Sequence, residues 1–181
     1  MTPTTLLPGF NAPAVGFEQP FEMLEACHER VQRSLGLLER LLAHIDANGH
    51  DASSRSAAAD VLRYFDIAAP HHHEDEERHV FPALAESGDG RVREAVARLK
   101  ADHVRMTALW GRLRLVLLAW RDADPPPLPT DADRVLVRDF ALSYADHIPL
   151  EETLVYPAAR MLFDTGRMAD IGAEMASRRR G

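Results

Sequence analysis

Residues 65–82 read FDIAAPHHHEDEERHVFP, and residues 140–157 read FALSYADHIPLEETLVYP, 75 positions further along the chain. The two stretches carry the same residue type at six matched positions: Phe65 and Phe140, His72 and His147, Glu76 and Glu151, Glu77 and Glu152, Val80 and Val155, and Pro82 and Pro157. A repeat at a fixed offset indicates a duplicated structural unit. The chain is therefore predicted to consist of two similar halves that face each other across a pseudo-two-fold axis.

The same offset relates apolar stripes on two further segments. Each stripe contains one histidine, His28 in the first and His103 in the second, and successive members alternate spacings of four and three residues. The first stripe consists of Leu24, His28, Val31, Leu35, Leu38, Leu42 and Ile45, and adding 75 to each number gives the second. Such spacing is typical of the buried seam of an antiparallel helical bundle.

Helix-breaking residues divide the chain into predicted segments. Four helices are expected, beginning after Pro20 and separated by stops near Gly49, Gly88 and the proline-rich run 125–129. The predicted organisation is an irregular N-terminal arm at 1–19, a bundle at 20–165, and a short C-terminal tail at 166–181 that forms at most a weak extra helix. Pro70 and Pro149 are expected to kink helices two and four without interrupting them. The fold class predicted is all-α, an up-down-up-down four-helix bundle.

Charge and cysteine content exclude several classes of protein. The chain has 181 residues and a net charge of −7, so it has no basic surface with which to bind nucleic acid. Its one basic cluster, Arg178 to Arg180, is interpreted as a solvated tail. No apolar run reaches about 18 residues and no signal peptide is evident, so no association with a membrane is expected. The single cysteine, Cys27, is typical of a reducing compartment, which predicts a cytoplasmic protein.

Six residues at repeat-related positions form a candidate metal site. His72 and Glu76 are four residues apart, as are His147 and Glu151, so each pair points from one side of its helix towards one place. Burying these groups and the two seam histidines without partners would cost several kcal/mol each in the worst case. A pair of cations bridged by carboxylates would satisfy them. The predicted ligands are His28, His72, Glu76, His103, His147 and Glu151.

The donor set contains nitrogen and oxygen but no thiolate, which favours iron or manganese and leaves zinc as an alternative. Cys27 lies one residue before His28, which turns it about 100° away from the apolar seam. It is therefore expected to pack rather than to ligate. His73 and Glu77 form a competing pair with the same four-residue spacing, although the repeat register favours His72.

Other polar residues near the motifs are given supporting or surface roles. His79 lies on the seam of helix two and Tyr144 on that of helix four, so both are expected in the core or next to the ligands. The neighbouring carboxylates are interpreted as a solvated acidic face: Glu74, Asp75, Glu77 and Glu152.

The segments 72–82 and 147–157 resemble the H-x3-E-E-x3-[FY]-P signature of hemerythrin-like (HHE cation-binding) domains. With the two seam histidines, the order H…HxxxE…H…HxxxE extends over roughly residues 20–165. The resemblance implies an up-down-up-down four-helix bundle around two non-haem iron ions, with Glu76 and Glu151 as bridging ligands.

The chain departs from the oxygen-carrying hemerythrins, which have a further histidine four residues after the one on helix three. Thr107 stands at that position here, and Gln32 is its repeat partner, so both are expected beside the ligands. The missing nitrogen implies more open coordination, which argues against simple reversible O2 storage. The ligand set is closer to that of bacterial di-iron proteins linked to the repair of damaged iron centres, whose usual N-terminal domain with a cysteine motif is not found in this chain.

Three functional hypotheses remain open from the sequence. The first is a di-iron module that senses or takes up O2, NO or peroxide, or handles iron. The second is a di-iron enzyme that reduces peroxide or NO or repairs iron centres. The third is a bundle stabilised by a redox-silent ion such as zinc. A small diatomic or peroxide ligand is the expected partner, and no protein partner is indicated.

Overall fold

The computed structural model describes residues 16–180, and within them the chain is helical without any strand. Five helices follow one another. They are α1 (Pro20–Asn48), α2 (residues 52–85), α3 (Gly90–Asp122), α4 (residues 131–160, interrupted by a turn at 144–146) and α5 (Thr165–Arg178). The all-α prediction is confirmed. The predicted N-terminal arm at 1–19 lies almost entirely outside the described residues.

Side-chain caps set the starts of α2, α3, α4 and α5. The carboxylate of Asp51 accepts from the backbone N–H of Ser54, and the Ser54 hydroxyl accepts in return from the N–H of Asp51. Thr130 and Asp133 form the same reciprocal pair at the start of α4. Caps of this kind stabilise a helix by about 0.5–2 kcal/mol each, because they satisfy N–H groups that have no partner inside the helix.

Helix α2 is continuous but contains two wide π-helical turns, and α4 contains a third. The three turns are Tyr64–Ala68, Glu76–Val80 and Glu151–Val155. Each is closed by the N–H of the residue directly before a proline, namely Ala69, Phe81 and Tyr156. A proline has no N–H and its ring collides with the carbonyl four residues earlier, and a widened turn relieves both problems. Pro70 therefore lies inside an unbroken helix, as the sequence predicted.

The fourth helix differs from that prediction at Pro149. A turn at residues 144–146 separates Asp131–Ser143 from His147–Leu150, so the expectation of a continuous helix is wrong here. Pro149 cannot donate to the carbonyl four positions earlier, and the backbone instead tightens into three-residue bonds such as Ala145 to Leu142, 3.1 Å. His147 consequently starts a new helical segment.

The helices form a bundle with two apolar layers. α1 contacts α2 and α4, and α3 contacts the same two helices. One apolar cluster contains Leu38 and Trp120, and a second, towards the other end of the bundle, contains Leu99 and Tyr156. The buried histidines and glutamates come from the chain positions between the two clusters, so they form a polar layer in the interior.

The C-terminal segment is an ordered helix rather than a tail. Ile171 and Met175 of α5 are buried against the second apolar cluster. Arg178 and Arg179 reach Asp75 of α2, whose side chain is only 1% exposed. The interpretation of the arginine cluster as a solvated tail is wrong, and so is the placement of Asp75 on a solvated face. α5 covers that part of α2 and supplies the cations that Asp75 requires.

Candidate metal centre

The six predicted ligand residues come together in the middle of the bundle. One histidine comes from α1 and one from α3, while α2 and α4 each supply a histidine and a glutamate. All six residues are at most 3% exposed: His28, His72, Glu76, His103, His147 and Glu151. The two glutamates occupy the first position of repeat-related π-helical turns, so the duplication seen in the sequence also holds for the local backbone.

One half of this cluster is built around His28. Its Nε2 atom lies 3.1 Å from Nε2 of His72 and 3.1 Å from Oε2 of Glu151. His72 in turn lies 3.5 Å from Oε1 of Glu76, four residues further along α2. These four side chains form a group whose candidate donor atoms all lie within 4.8 Å of one another.

The other half is built from the repeat partners. Nε2 of His147 lies 3.0 Å from Oε1 of Glu151, and Nε2 of His103 lies 3.4 Å from Oε2 of Glu76. These side chains form a second group within the same 4.8 Å limit. Both groups contain Glu76 and Glu151. The two carboxylates are thus shared, with one pair of histidines on each side, and this arrangement is suited to two adjacent cations.

The donor atoms fit cation binding because ordinary hydrogen bonds do not satisfy them. Among the described residues, no hydrogen-bond partner exists for Nε2 of His103, for either ring nitrogen of His147, or for either oxygen of Glu151. Oε2 of Glu76 also lacks a hydrogen-bond partner among these residues. A buried polar atom left without a partner costs about 1–3 kcal/mol. Coordination would satisfy these atoms together, so the residues present fit a metal centre.

Two carboxylates outside the cluster orient two of its histidines. Nδ1 of His103 donates to Glu77 at 2.8 Å, and Nδ1 of His28 donates to Glu152 at 2.8 Å. A carboxylate bonded to the far nitrogen of a histidine fixes its tautomer and turns the other nitrogen inward. Glu77 and Glu152 are partly exposed but are not merely a solvated face, which corrects the sequence interpretation. Their match in the repeat was the available signal.

Tyr156 is a site residue that the sequence analysis did not identify. Its hydroxyl donates to Oε1 of Glu76 and lies 3.3 Å from Nε2 of His28. Its ring stacks on that of His28, with centroids 5.6 Å apart and planes at 10°. The repeat partner is Phe81, so the hydroxyl exists in one half only. In the sequence, only the tyrosine in place of phenylalanine at this motif position marked it.

The residues predicted to lie beside the ligands are placed differently from one another. Tyr144 contacts His147 edge-on, with centroids 6.3 Å apart, and its hydroxyl forms no hydrogen bond within residues 16–180. The Thr107 hydroxyl donates to the backbone carbonyl of His103 at 2.9 Å. Gln32 is exposed on α1, and His79 bonds to Glu174 of α5 at 2.6 Å. His79 therefore holds the C-terminal helix and does not face the cluster.

His73 lies at the edge of the cluster rather than in the competing pair. Its ring stacks on His103, with centroids 3.9 Å apart and planes at 14°, and one of its ring nitrogens lies within 4.8 Å of donor atoms of His103 and His147. Glu77 bonds to His103 instead of to His73. The register that pairs His72 with Glu76 is the one that the structure brings to the centre.

Burial and charge shift the pKa values of the cluster in opposite directions. Burial lowers the pKa of His72 to about 3. Burial also opposes the protonated form of His28, but the neighbouring carboxylates, Glu151 first, outweigh it and raise that pKa. Burial, and then the charge of Glu76, raise the pKa of Glu151 well above its usual range. Burial also disfavours the charged form of Glu76, but the nearby histidines outweigh it and hold its pKa well below the usual range. Protons and cations therefore compete for the same donor atoms.

The bundle and its cluster define a helical cation-binding protein. The family model of the hemerythrin HHE cation binding domain matches residues 19–159, and the chain belongs to this family. An uncharacterized protein of Haemophilus influenzae is 29% identical over 163 residues, which cover 90% of this chain and 91% of that relative. The resemblance noted in the sequence is thereby confirmed. None of the helices in residues 16–180 is long and apolar enough to cross a membrane.

Proposed function

We propose that this protein binds two metal ions side by side, with Glu76 and Glu151 shared between them, and that the native ions are iron. The observation that carries the proposal is that the two ligand groups overlap in these two carboxylates. The donors are imidazole nitrogens and carboxylate oxygens, a set suited to iron or manganese and less diagnostic of zinc. Cys27 supplies no thiolate, since its Sγ lies 3.7 Å from the Sδ of Met23.

The proposal includes the direction of the helices. The connections at 49–51, 86–89 and 123–130 are short, and short connections join antiparallel neighbours. Helices α1 to α4 would then run alternately up and down, so that each half of the repeat contributes one helix pair. The proposal also places the protein in the cytoplasm, as the single cysteine predicts.

We further propose that the centre senses or reacts with O2, NO or peroxide rather than storing O2. Bound iron would supply redox chemistry towards these molecules. Each group of four contains two nitrogens and two shared carboxylates, with His73 at the edge of the second group, and Thr107 replaces the additional histidine of oxygen carriers. Tyr156 donates to Glu76 and holds that carboxylate in place, while the apolar layers on both sides keep bulk water away.

Metal analysis of anaerobically purified protein tests the proposal. About two ions per chain are expected, with an optical spectrum that changes on addition of O2, peroxide or NO. Glu76→Ala and Glu151→Ala should each reduce the content towards one ion or none, because each removes a shared ligand. Glu94→Ala, at an exposed position of α3, is the matched control. Two ions in either shared-ligand variant would contradict the bridging role, and zinc without spectral change would favour the structural alternative.

A further inference from the structure

A cavity of about 500 Å³ lies beside one of the two ligand groups, between α2, α3 and α4. Its inner wall includes His73 and His103, and the second of these belongs to the candidate metal centre. The remaining walls are mostly apolar and aromatic: Phe65, Ala69, Met106, Trp110, Phe140 and Tyr144. The volume lies in the range of roughly 300–1,000 Å³ typical of sites for organic ligands. It is far larger than the roughly 30 Å³ that a water molecule takes in the liquid, so a diatomic molecule would leave most of it unfilled.

The cavity does not follow from the duplication. The ligand positions are the same in both halves, but the cavity walls are not. Ala69 corresponds to Tyr144 in the repeat, and Trp110 corresponds to Leu35. The methyl group of Ala69 leaves space where the second half carries a phenol ring. This one-sided space lies against His103 rather than against its repeat partner, which gives the two ligand groups different surroundings.

The charged residues that line the cavity are both acidic. Glu74 and Glu77 lie in its wall, and no lysine or arginine does. Glu74 is offset by Arg78 and Arg178. Glu77 has no arginine or lysine within ion-pair distance among the described residues and is 49% exposed. In the metal-free protein, a carboxylate or phosphate entering the cavity would meet this negative charge, and the nearest potential cation, the His103 ring, is already bonded to Glu77. A neutral or cationic molecule would meet no such repulsion.

The inner wall also offers a polar contact. The side chain of His73 forms no hydrogen bond within residues 16–180, although its ring is held by stacking on His103. A ring nitrogen at this position can donate to or accept from a polar group on a bound molecule. A largely apolar molecule with one polar end therefore matches the apolar walls and the histidine at the inner wall.

We propose that this cavity binds a largely apolar organic molecule that is neutral or positively charged, with its polar end at His73. The proposal deepens the proposed function, because such a molecule would lie next to the ligand group of His103 and His147. Binding itself depends only on the cavity walls. The two proposals can therefore fail separately.

Three probes of one shape and different charge test the chemistry: 4-butylbenzyl alcohol, 4-butylbenzylamine and 4-butylbenzoate. Isothermal titration calorimetry is performed on protein as purified and on metal-free protein, and the metal content of each sample is measured. In the metal-free protein, the alcohol and the amine should bind at least about tenfold more tightly than the benzoate. Equal affinity for all three probes, or no binding of any at millimolar concentration, would overturn the proposal.

Filled variants test the location. Ala69→Phe occupies the cavity from α2 and should abolish binding of the alcohol and the amine. Thr107→Phe fills it from an exposed position on the rim and serves where the first variant does not fold. Ala108→Phe, exposed on α3 outside the lining, is the matched control and should bind as the unmodified protein does. If a variant that fills the cavity still folds and binds the probes unchanged, the probes do not bind in this cavity and the proposal is refuted. If the purified protein holds no metal but still binds the probes, the metal proposal is contradicted and the cavity proposal stands.

Discussion

Nδ1 of His103 donates a hydrogen bond of 2.8 Å to Glu77, the residue that directly follows the shared carboxylate Glu76. The repeat reproduces this contact between His28 and Glu152 at the same distance. Each bond joins the first half of the chain to the second. The two-fold relation therefore extends beyond the candidate ligands to the groups that orient them, and these contacts can be tested apart from the ligands themselves.

Glu77→Gln and Glu152→Gln should each weaken metal binding by about 10–100-fold, the usual effect of losing a carboxylate behind a ligating histidine. The amide keeps the size of the side chain but removes the charge that supports the inward-facing nitrogen. Competition titration with a chelator measures the affinity. Glu94→Gln, at an exposed position of α3 away from the candidate ligands, is the control. Affinities unchanged in both variants would show that the two bonds do not support the centre.

Asp75→Asn should destabilise the protein by about 2–3 kcal/mol, slightly less than the ~3–5 kcal/mol for breaking a fully buried pair. The reduction is expected because Arg178 and Arg179 remain 15% and 22% exposed. The loss should appear in denaturant unfolding of the metal-free protein, so that changes in metal content do not contribute. Asp170→Asn, exposed on α5, is the control. If the two variants unfold alike, α5 is not held by this cluster.

The contrast between Asp75 and Glu76 shows how far the sequence could predict the site. Glu76 was identified because a four-residue spacing and a 75-residue offset are properties of the chain itself. The burial of Asp75 depends on a helix one hundred residues away folding over it, and no local pattern reports such a contact. Tyr156 was missed for a similar reason, since its position predicts a core aromatic residue and only packing brings its hydroxyl to Glu76. The two prolines differ in the same way. A wide turn before Pro70 keeps its helix continuous, whereas a tight turn before Pro149 interrupts the helix there.

Metal binding should release protons and should strengthen as the pH rises through about 6.5 and above. In the metal-free protein, burial opposes protonation of His103, but Glu76 outweighs it and raises the pKa, as Glu151 does for His28. A raised pKa means that these rings still hold protons just above pH 6.5, and a ring must lose its proton before its inner nitrogen can ligate. His72, with a pKa of about 3, has no proton to release in this range.

Calorimetry at one pH in buffers of different protonation enthalpy counts the protons released. Comparison of the affinity at pH 6 and pH 8 gives the sign, with tighter binding expected at pH 8. An affinity independent of pH, without proton release, would contradict the assignment of these histidines as ligands.

Thr107→His should slow the reaction of the reduced, iron-loaded protein with O2 by about tenfold, at the lower end of effects seen for changes around metal ligands. Thr107 lies one turn beyond His103 on α3 and lines the same cavity, so an imidazole there points towards the same ligand group. It would occupy coordination that is otherwise open to a small exogenous ligand. Thr107→Val removes the hydroxyl without adding a donor and controls for loss of the bond to the His103 carbonyl. Stopped-flow spectroscopy after mixing with O2 measures the rate for all three proteins. A histidine variant that reacts as fast as the valine variant would show that position 107 does not reach the centre, and reversible O2 binding by the unmodified protein would return storage as its function.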